Sequence, residues 1–217
     1  MPTFDHFADA LRKRLSKPLP GFEAQRTMAP RYDVGQRGIP TDEVDCTDAG
    51  VLALLYPDDQ GTPTVLLTIR RSNLAHHPGQ ISFPGGRCEP GETECETALR
   101  EAQEEVGLPP EEVSILGALT PLYIPPSGFC AHPFVGMLPY TPQTTPQEDE
   151  VEALLPAHIP HLLHPGTRTV ETWTLHGTQI DVPFYDVEGH TVWGATAMML
   201  AELLDVVRST DALLHMQ

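Results

Sequence analysis

The sequence predicts an α/β fold, a three-layer α/β/α sandwich, on three observations. An amphipathic helix with end signals on both sides occupies 93–106. β-Favouring segments flank it in the chain, at 49–56 and 64–70 before it and at 113–124 and 132–138 after it. A second helical stripe, at 191–207, closes the chain. Such an order lets helices cover both faces of one sheet.

Taken in order, Phe4, Phe7, Ala8, Leu11 and Leu15 recur at helical spacing, with Arg12, Lys13, Arg14 and Lys17 towards the end where cations suit the dipole. They predict a helix packed on the main domain. Residues 18–41 are rich in Pro, Gly and Arg (Arg26, Arg31 and Arg37 among them) and show no periodicity, so irregular surface chain is expected. Helix and irregular chain together make an N-terminal extension, 1–45, ahead of one domain, 46–217. Segments 49–56 and 64–70 are separated by PDDQGTP, dense in turn formers, and predict a hairpin. The second strand runs into the loop RRSNLAHHPGQISFPGG, where Pro84, Gly85 and Gly86 permit a tight bend.

Thr93 followed by Glu96 is a capping box, so the central helix is expected to start at Thr93. Gly107 suits the left-handed position after a helix, and Pro109 and Pro110 prevent continuation. Cys95, Ala98, Leu99, Ala102 and Val106 form the apolar stripe of this helix. Glu101, Glu104 and Glu105 are then expected on the opposite face, converging within about one turn. Three crowded carboxylates call for a cation, and hard ions such as Mg²⁺ or Mn²⁺ prefer all-oxygen donors.

Beyond the helix, 113–124 reads as one strand, PPSGFCA as a loop, 132–138 as a strand and TPQTTPQEDE as a polar surface loop. A short strand and a short helix are expected within 150–163. Segments 168–175 and 179–184 predict a second hairpin, and 191–207 a helix with Val192, Ala195, Met199, Leu203 and Val206 on one stripe. Trp193, Met198 and Met199 fit a core at that spacing.

The chain has 217 residues, with 30 acidic against 13 basic side chains and a formal charge of −17. That balance opposes binding of nucleic-acid backbones or anionic membrane surfaces. No apolar run approaches the length of a membrane span. Cys46, Cys88, Cys95 and Cys130 have no C-x-x-C spacing. They are expected to be free thiols in a cytoplasmic protein.

The run 86–108, GRCEPGETECETALREAQEEVGL, resembles the Nudix box. Gly86, Glu92, Arg100, Glu101, Glu104, Glu105 and Gly107 fill its fixed positions, Leu108 is its second aliphatic, and Ala102 stands at the first. The resemblance implies a Nudix-type sandwich with a mixed sheet and a metal-dependent pyrophosphohydrolase. It makes Glu101, Glu104 and Glu105 metal ligands, with the Gly85 carbonyl joining them. Arg100 then holds Glu101, and Glu92 braces the loop. The general base is either Glu101 or a carboxylate outside the box, for which Glu148, Asp149 and Glu150 are candidates.

Upstream, LLTIRRSNLAHHPGQISFPGG is similar to the signature of the coenzyme A pyrophosphatase branch; Arg70, Gly79 and 83–86 match, whereas Arg71 replaces a Ser and Ala75 an Arg. PSGFCAHPFVG, Glu150-Val151 and HTVWGATAMML are also similar to that branch. This resemblance implies cleavage of coenzyme A or a derivative to adenosine 3′,5′-bisphosphate and 4′-phosphopantetheine. Arg70, Arg71 and Arg87 are expected to grip phosphates, since guanidinium bonds them bidentately, and His77 is expected to contact substrate. Two other readings stand beside it: a pyrophosphatase for ADP-ribose, NADH or another nucleoside diphosphate derivative, and a nucleotide-sensing module without turnover.

Overall fold

The structure, a computed structural model, describes residues 4–31, 45–71, 79–175 and 177–210. Strands β1 (Thr47–Pro57) and β2 (Pro63–Arg70) form the expected antiparallel hairpin. Its turn is fastened by Asp58, whose Oδ1 accepts from the Gln60 and Thr62 amides at 2.8 and 2.7 Å. An Asp placed to bond backbone amides a few residues on is a common way to close such a turn.

β1 is the spine of an eight-stranded sheet. The other members are β3 (Ile81–Ser82), β4 (Gly85–Arg87), β5 (Ser114–Ala118), β6 (Leu122–Ile124), β7 (Phe129–Met137) and β8 (Val151–His158). The path runs β3-β2-β1-β7-β5, with β4 on β1, β6 on β7 and β8 on β2. β1 and β7 are parallel and the remaining pairings antiparallel, so the sheet is mixed.

Alternation along β1 and β2 sorts their side chains between two layers. Leu52, Leu54, Tyr56 and Leu66 pack with Ala98, Ala102 and Val106 of α3 (Glu94–Val106). On the other face, Ala53, Leu55, Val65 and Leu67 meet the side chains of α1 (Phe4–Leu15) and α5 (Gly194–Arg208). All five residues of the first helix's apolar stripe are buried in that second cluster. Each fully buried Leu contributes about 1.5–3 kcal/mol. Two helical layers around a mixed sheet make the sandwich read from the sequence.

Within the segment expected to be irregular lie a short helix, α2 (Phe22–Gln25), and a tight turn at Arg26–Met28. Buried Glu202 of α5 holds them in place, accepting from the Gly21 amide at 3.0 Å and from Gln25 Nε2 at 2.8 Å. Glu202 also accepts from the Thr120 amide and hydroxyl. That is why 113–124 is two strands and not one. The Thr120 amide is spent on Glu202, and Pro121 has none to offer a ladder.

After α4 (Ile159–Leu163) a second, three-stranded antiparallel sheet comprises β9 (Arg168–Leu175), β10 (Thr178–Val187) and β11 (His190–Trp193). The expected helix therefore begins at Gly194, and Val192 and Trp193 belong to a strand. Thr, Val and Trp favour a pleated surface, and their pairing with β10 outweighs the helical spacing. Trp173 packs against Phe184 and edge-on against Trp193. No helix among the described residues is long and apolar enough to cross a membrane.

The expectation of four free thiols is corrected. Cys46 and Cys130 form a disulfide between the segment entering β1 and the start of β7, spanning 84 residues of sequence, while Cys88 and Cys95 are free. Parallel neighbours β1 and β7 bring together cysteines that no local spacing pairs. A cross-link closing so long a loop adds about 2–4 kcal/mol of stability, chiefly by restricting the unfolded chain. Protein denatured without reductant should thus titrate as two thiols and after reduction as four. Cys46→Ser should lower unfolding free energy by about 2–4 kcal/mol in denaturant titrations; an unchanged midpoint would show that the cross-link adds nothing.

Candidate active site

The site is made where α3 lies on β1 and β4. Gly50 of β1 is paired with Gly86 of β4. A Cβ at Gly50 would overlap the Glu94 carbonyl and approach the Ala98 amide to 2.7 Å, so only glycine lets the helix settle this deeply. A Cβ at Gly86 would overlap the Glu101 carboxylate in the same way.

Both ends of α3 are fixed by local chemistry. Thr93 Oγ1 accepts from the Glu96 amide at 3.3 Å, and Glu96 Oε2 accepts from the Thr93 amide at 2.8 Å. At the C-terminal end Gly107 has φ 74°, and its amide reaches Gln103 O at 2.9 Å.

Arg100 ties the loop to the helix. Its Nε and Nη2 donate to the two oxygens of Glu92 at 2.7 and 3.2 Å. Its Nη1 donates to Glu101 Oε1 at 2.9 Å and Glu104 Oε2 at 3.1 Å, and Nη2 also reaches the Arg87 carbonyl at 3.2 Å. Glu92 further accepts from the Thr97 hydroxyl and the Glu89 amide. The Arg100 guanidinium and then the Glu89 amide hold Glu92 down at about 2. An open cleft lined by Arg87, Cys88, Glu89, Pro90, Arg100 and Glu101 adjoins this network.

The three box glutamates do not share one solvated face. Glu104 is exposed and Glu101 half-buried, whereas Glu105 is buried at 6% exposure. Residue 105 stands three positions after Ala102 and seven after Ala98, so it follows the buried side of the helix, where the Gly85 amide of β4 meets it. Burial raises the Glu101 carboxyl, against the pull of Arg100. Burial, then the charges of Glu101 and Glu150, pushes Glu105 up to about 8, although the Gly85 amide and Arg70 oppose the rise.

Backbone bonds bring Glu150 to this cluster. The Gln147 amide donates to Glu105 O at 2.8 Å, the Glu150 amide to Gln147 O at 3.1 Å, and the Arg71 amide to Glu150 O at 2.9 Å. Glu150 thus acts electrostatically on both Glu101 and Glu105, while Glu148 and Asp149 are exposed. Arg70 ends β2 beside Glu105, partly exposed Arg71 follows it, and exposed Arg87 borders the cleft. Arg26 instead pairs with Glu23, and the Arg31 backbone pairs with Asp181. His77, with Ala75 and Arg37, lies outside the described residues.

Two contributors escaped the sequence reading. Thr97 is buried and hands its hydroxyl hydrogen to Glu92; its place one turn after Thr93 was the available signal. Gly50 carried no signal, since nothing local says that a helix will lie on it.

A helix that gathers carboxylates around an arginine, at the end of a glycine turn, defines a pyrophosphohydrolase of the metal-using kind. The NUDIX domain profile matches residues 47–173, and the chain belongs to that family. A curated relative, "Uncharacterized Nudix hydrolase NudL" of Photorhabdus laumondii, is 35% identical over 147 residues, covering 67% of this chain and 78% of that protein. The "Mitochondrial coenzyme A diphosphatase NUDT8" of Homo sapiens is 34% identical over 144 residues, covering 64% of this chain and 61% of the human protein. Among solved structures, a MutT/nudix family protein from Enterococcus faecalis has the same fold at TM-score 0.51 and 14% identity, covering 83% of this chain and 66% of that one.

Nudix enzymes generally use divalent metal ions, and the residues here fit one. Glu105 Oε2 is buried with no hydrogen-bond partner among the described residues, beside the glycine-floored Glu101 carboxylate. An unpartnered buried carboxylate oxygen is costly unless a proton or a cation meets it.

A pH dependence follows. In metal-free buffer the folded state keeps a proton on Glu105 up to about 8, whereas the unfolded chain releases it near 4.5. The penalty is therefore absent below the unfolded value and grows as pH rises to the folded one. Glu105→Gln in EDTA should melt several degrees above wild type at about pH 8, at ~2–4 °C per kcal/mol, and the gap should shrink towards about pH 5. A gap that does not change with pH would contradict the burial of this carboxyl.

Proposed function

We propose that the chain hydrolyses the pyrophosphate bond of coenzyme A or a derivative, giving adenosine 3′,5′-bisphosphate and 4′-phosphopantetheine. The observation that carries hydrolysis is the convergence of Glu101, Glu104, Glu105 and Glu150, with Arg100 holding Glu101 and Glu104. The choice of coenzyme A is supported by the upstream run 66–86 and by what the human relative's name says of that protein.

In this reading Arg70, Arg71 and Arg87 take the phosphate oxygens, with His77 contacting the substrate. Arg100 keeps Glu101 and Glu104 from turning away as the anion arrives. Glu150, partly exposed and unclaimed by Arg100, accepts the proton of the attacking water. The water oxygen bonds to phosphorus, the bridging P–O bond breaks, and the leaving phosphate carries off the electron pair. Mg²⁺ or Mn²⁺, when held by Glu101, Glu104, Glu105 and the Gly85 carbonyl, supplies the positive charge that offsets the diphosphate and makes water a better nucleophile. All-oxygen donors favour those hard cations.

Product analysis with coenzyme A, ADP-ribose and NADH in parallel, each with Mg²⁺ and with Mn²⁺, tests the proposal. Adenosine 3′,5′-bisphosphate from coenzyme A, with the others slow, is expected. Cleavage of ADP-ribose or NADH alone would keep the hydrolase and discard the substrate; no turnover at all would favour a sensing module.

Glu150→Gln should reduce kcat by about 10²–10⁴ with little change in KM. If kcat stays near wild type, Glu150 is not the base and the role passes to Glu101, Glu148 or Asp149. Arg70→Ala should raise KM for coenzyme A more than for its analogue lacking the 3′-phosphate; equal increases would put Arg70 on the diphosphate instead.

A further inference from the structure

Away from the glutamate cluster, at the opposite end of α3, a second group of donors has been brought together. Asp48 on β1 and His132 on β7 project from the α3-facing side of the sheet, and Glu94 opens the helix. One donor atom from each lies within 4.8 Å of the others. His132 Nε2 stands 2.9 Å from Asp48 Oδ1.

The arrangement is built and not merely a crowded acidic surface. β1 and β7 run in register, Gly50 beside His132, and the missing side chain at Gly50 lets the first turn of α3 come down next to both strands. The Cys46–Cys130 disulfide ties the segment entering β1 to β7, two positions before Asp48 and before His132. His132 is only 25% exposed along its side chain. The Glu94 carboxylate makes no hydrogen bond or ion pair with another described residue, so it can turn towards a ligand without breaking one.

We propose that Asp48, Glu94 and His132 form a second divalent-cation site, selective for ions of the Zn²⁺ and Co²⁺ class, with water completing the shell. An imidazole nitrogen beside two carboxylates suits borderline transition metals, whereas Mg²⁺ and Ca²⁺ favour oxygen alone. Two donors on one ion at the usual ~2.0–2.2 Å stand about 3 Å apart, the separation His132 and Asp48 already have. The helix N-terminus repels a cation with roughly half a unit charge, and two carboxylates outweigh it. The site lies about 10 Å along the helix axis from Glu101, at 1.5 Å per residue, so it does not share the ion of the glutamate cluster. Occupied, it pins β1, β7 and the first turn of α3 together.

The test is a Co²⁺ titration followed by visible absorption, in excess Mg²⁺. It uses full-length protein carrying Glu101→Gln, Glu104→Gln and Glu105→Gln, which removes the first cluster. About one equivalent of Co²⁺ should bind, be displaced by Zn²⁺, and weaken roughly tenfold or more on adding His132→Gln or Asp48→Asn. Wild-type protein in excess Mg²⁺ gives the same comparison with and without His132→Gln should the triple variant fail to fold. No bound Co²⁺ under these conditions, or binding indifferent to both substitutions, overturns the proposal. Displacement by Mg²⁺ alone overturns the selectivity and with it the role of His132.

Discussion

The seat of α3 on a pair of glycines is the contact from which the rest of the site follows. Gly50 and Gly86 are neighbours across β1 and β4, and a side chain at either would collide with the helix or with Glu101. Because the backbones meet without side chains between them, Arg100 reaches the Arg87 carbonyl and the Gly85 amide reaches Glu105. A helix held further off by ordinary side chains would keep its sequence and lose these bonds. Close packing of backbone on backbone is thus the step that turns a sequence spacing into a geometry.

That geometry leaves the charges unbalanced in a directed way. A single guanidinium serves Glu92, Glu101 and Glu104, and with these it lies in a partly buried network. Glu105 lies beyond its reach, pressed inward with one oxygen unpartnered and with Glu101 and Glu150 nearby. Buried like charges of this kind lower the stability of a fold, and they persist where a ligand relieves them. The helix caps and the apolar layers carry that burden: Ala98, Ala102 and Val106 are fully buried against Leu52 and Leu54.

What could be read from the sequence was local. The start of α3 at Thr93 and its end at Gly107 depend on residues within a few positions, and both ends stand where expected. The five stripe residues of α1 needed only helical spacing to be assigned to a core. The misreadings are nonlocal. Residues 119–121 interrupt a strand because Glu202, far along the chain, draws in the Thr120 amide. Trp193 leaves the closing helix because β10 offers it a partner. Cys46 meets Cys130 because β1 and β7 lie side by side, a parallel pairing that no spacing encodes. Glu105, assigned to the face opposite the apolar stripe, is buried where β4 and the segment before β8 bond to it, contacts that helix position alone does not tell.

The bonds at the far end of α3 couple two parts of the site that are distant in sequence. The last turn offers the carbonyls of Glu105 and Val106, and helix carbonyls there lack internal partners. The amides of Gln147 and Thr145 take them, at 2.8 and 2.9 Å. The same short loop then hands the chain to Glu150, whose carbonyl is bonded by the Arg71 amide at 2.9 Å. Arg70, Glu105 and Glu150 are therefore carried by one continuous backbone network joining β2, α3 and the segment before β8. A shift of the helix end would move a carboxylate of the box, the neighbouring arginine and Glu150 together, which preserves their spacing. Groups that must hold their relative positions while an anion enters and leaves are better fixed to each other's backbones than by long side chains, because the backbone has fewer torsions to lose.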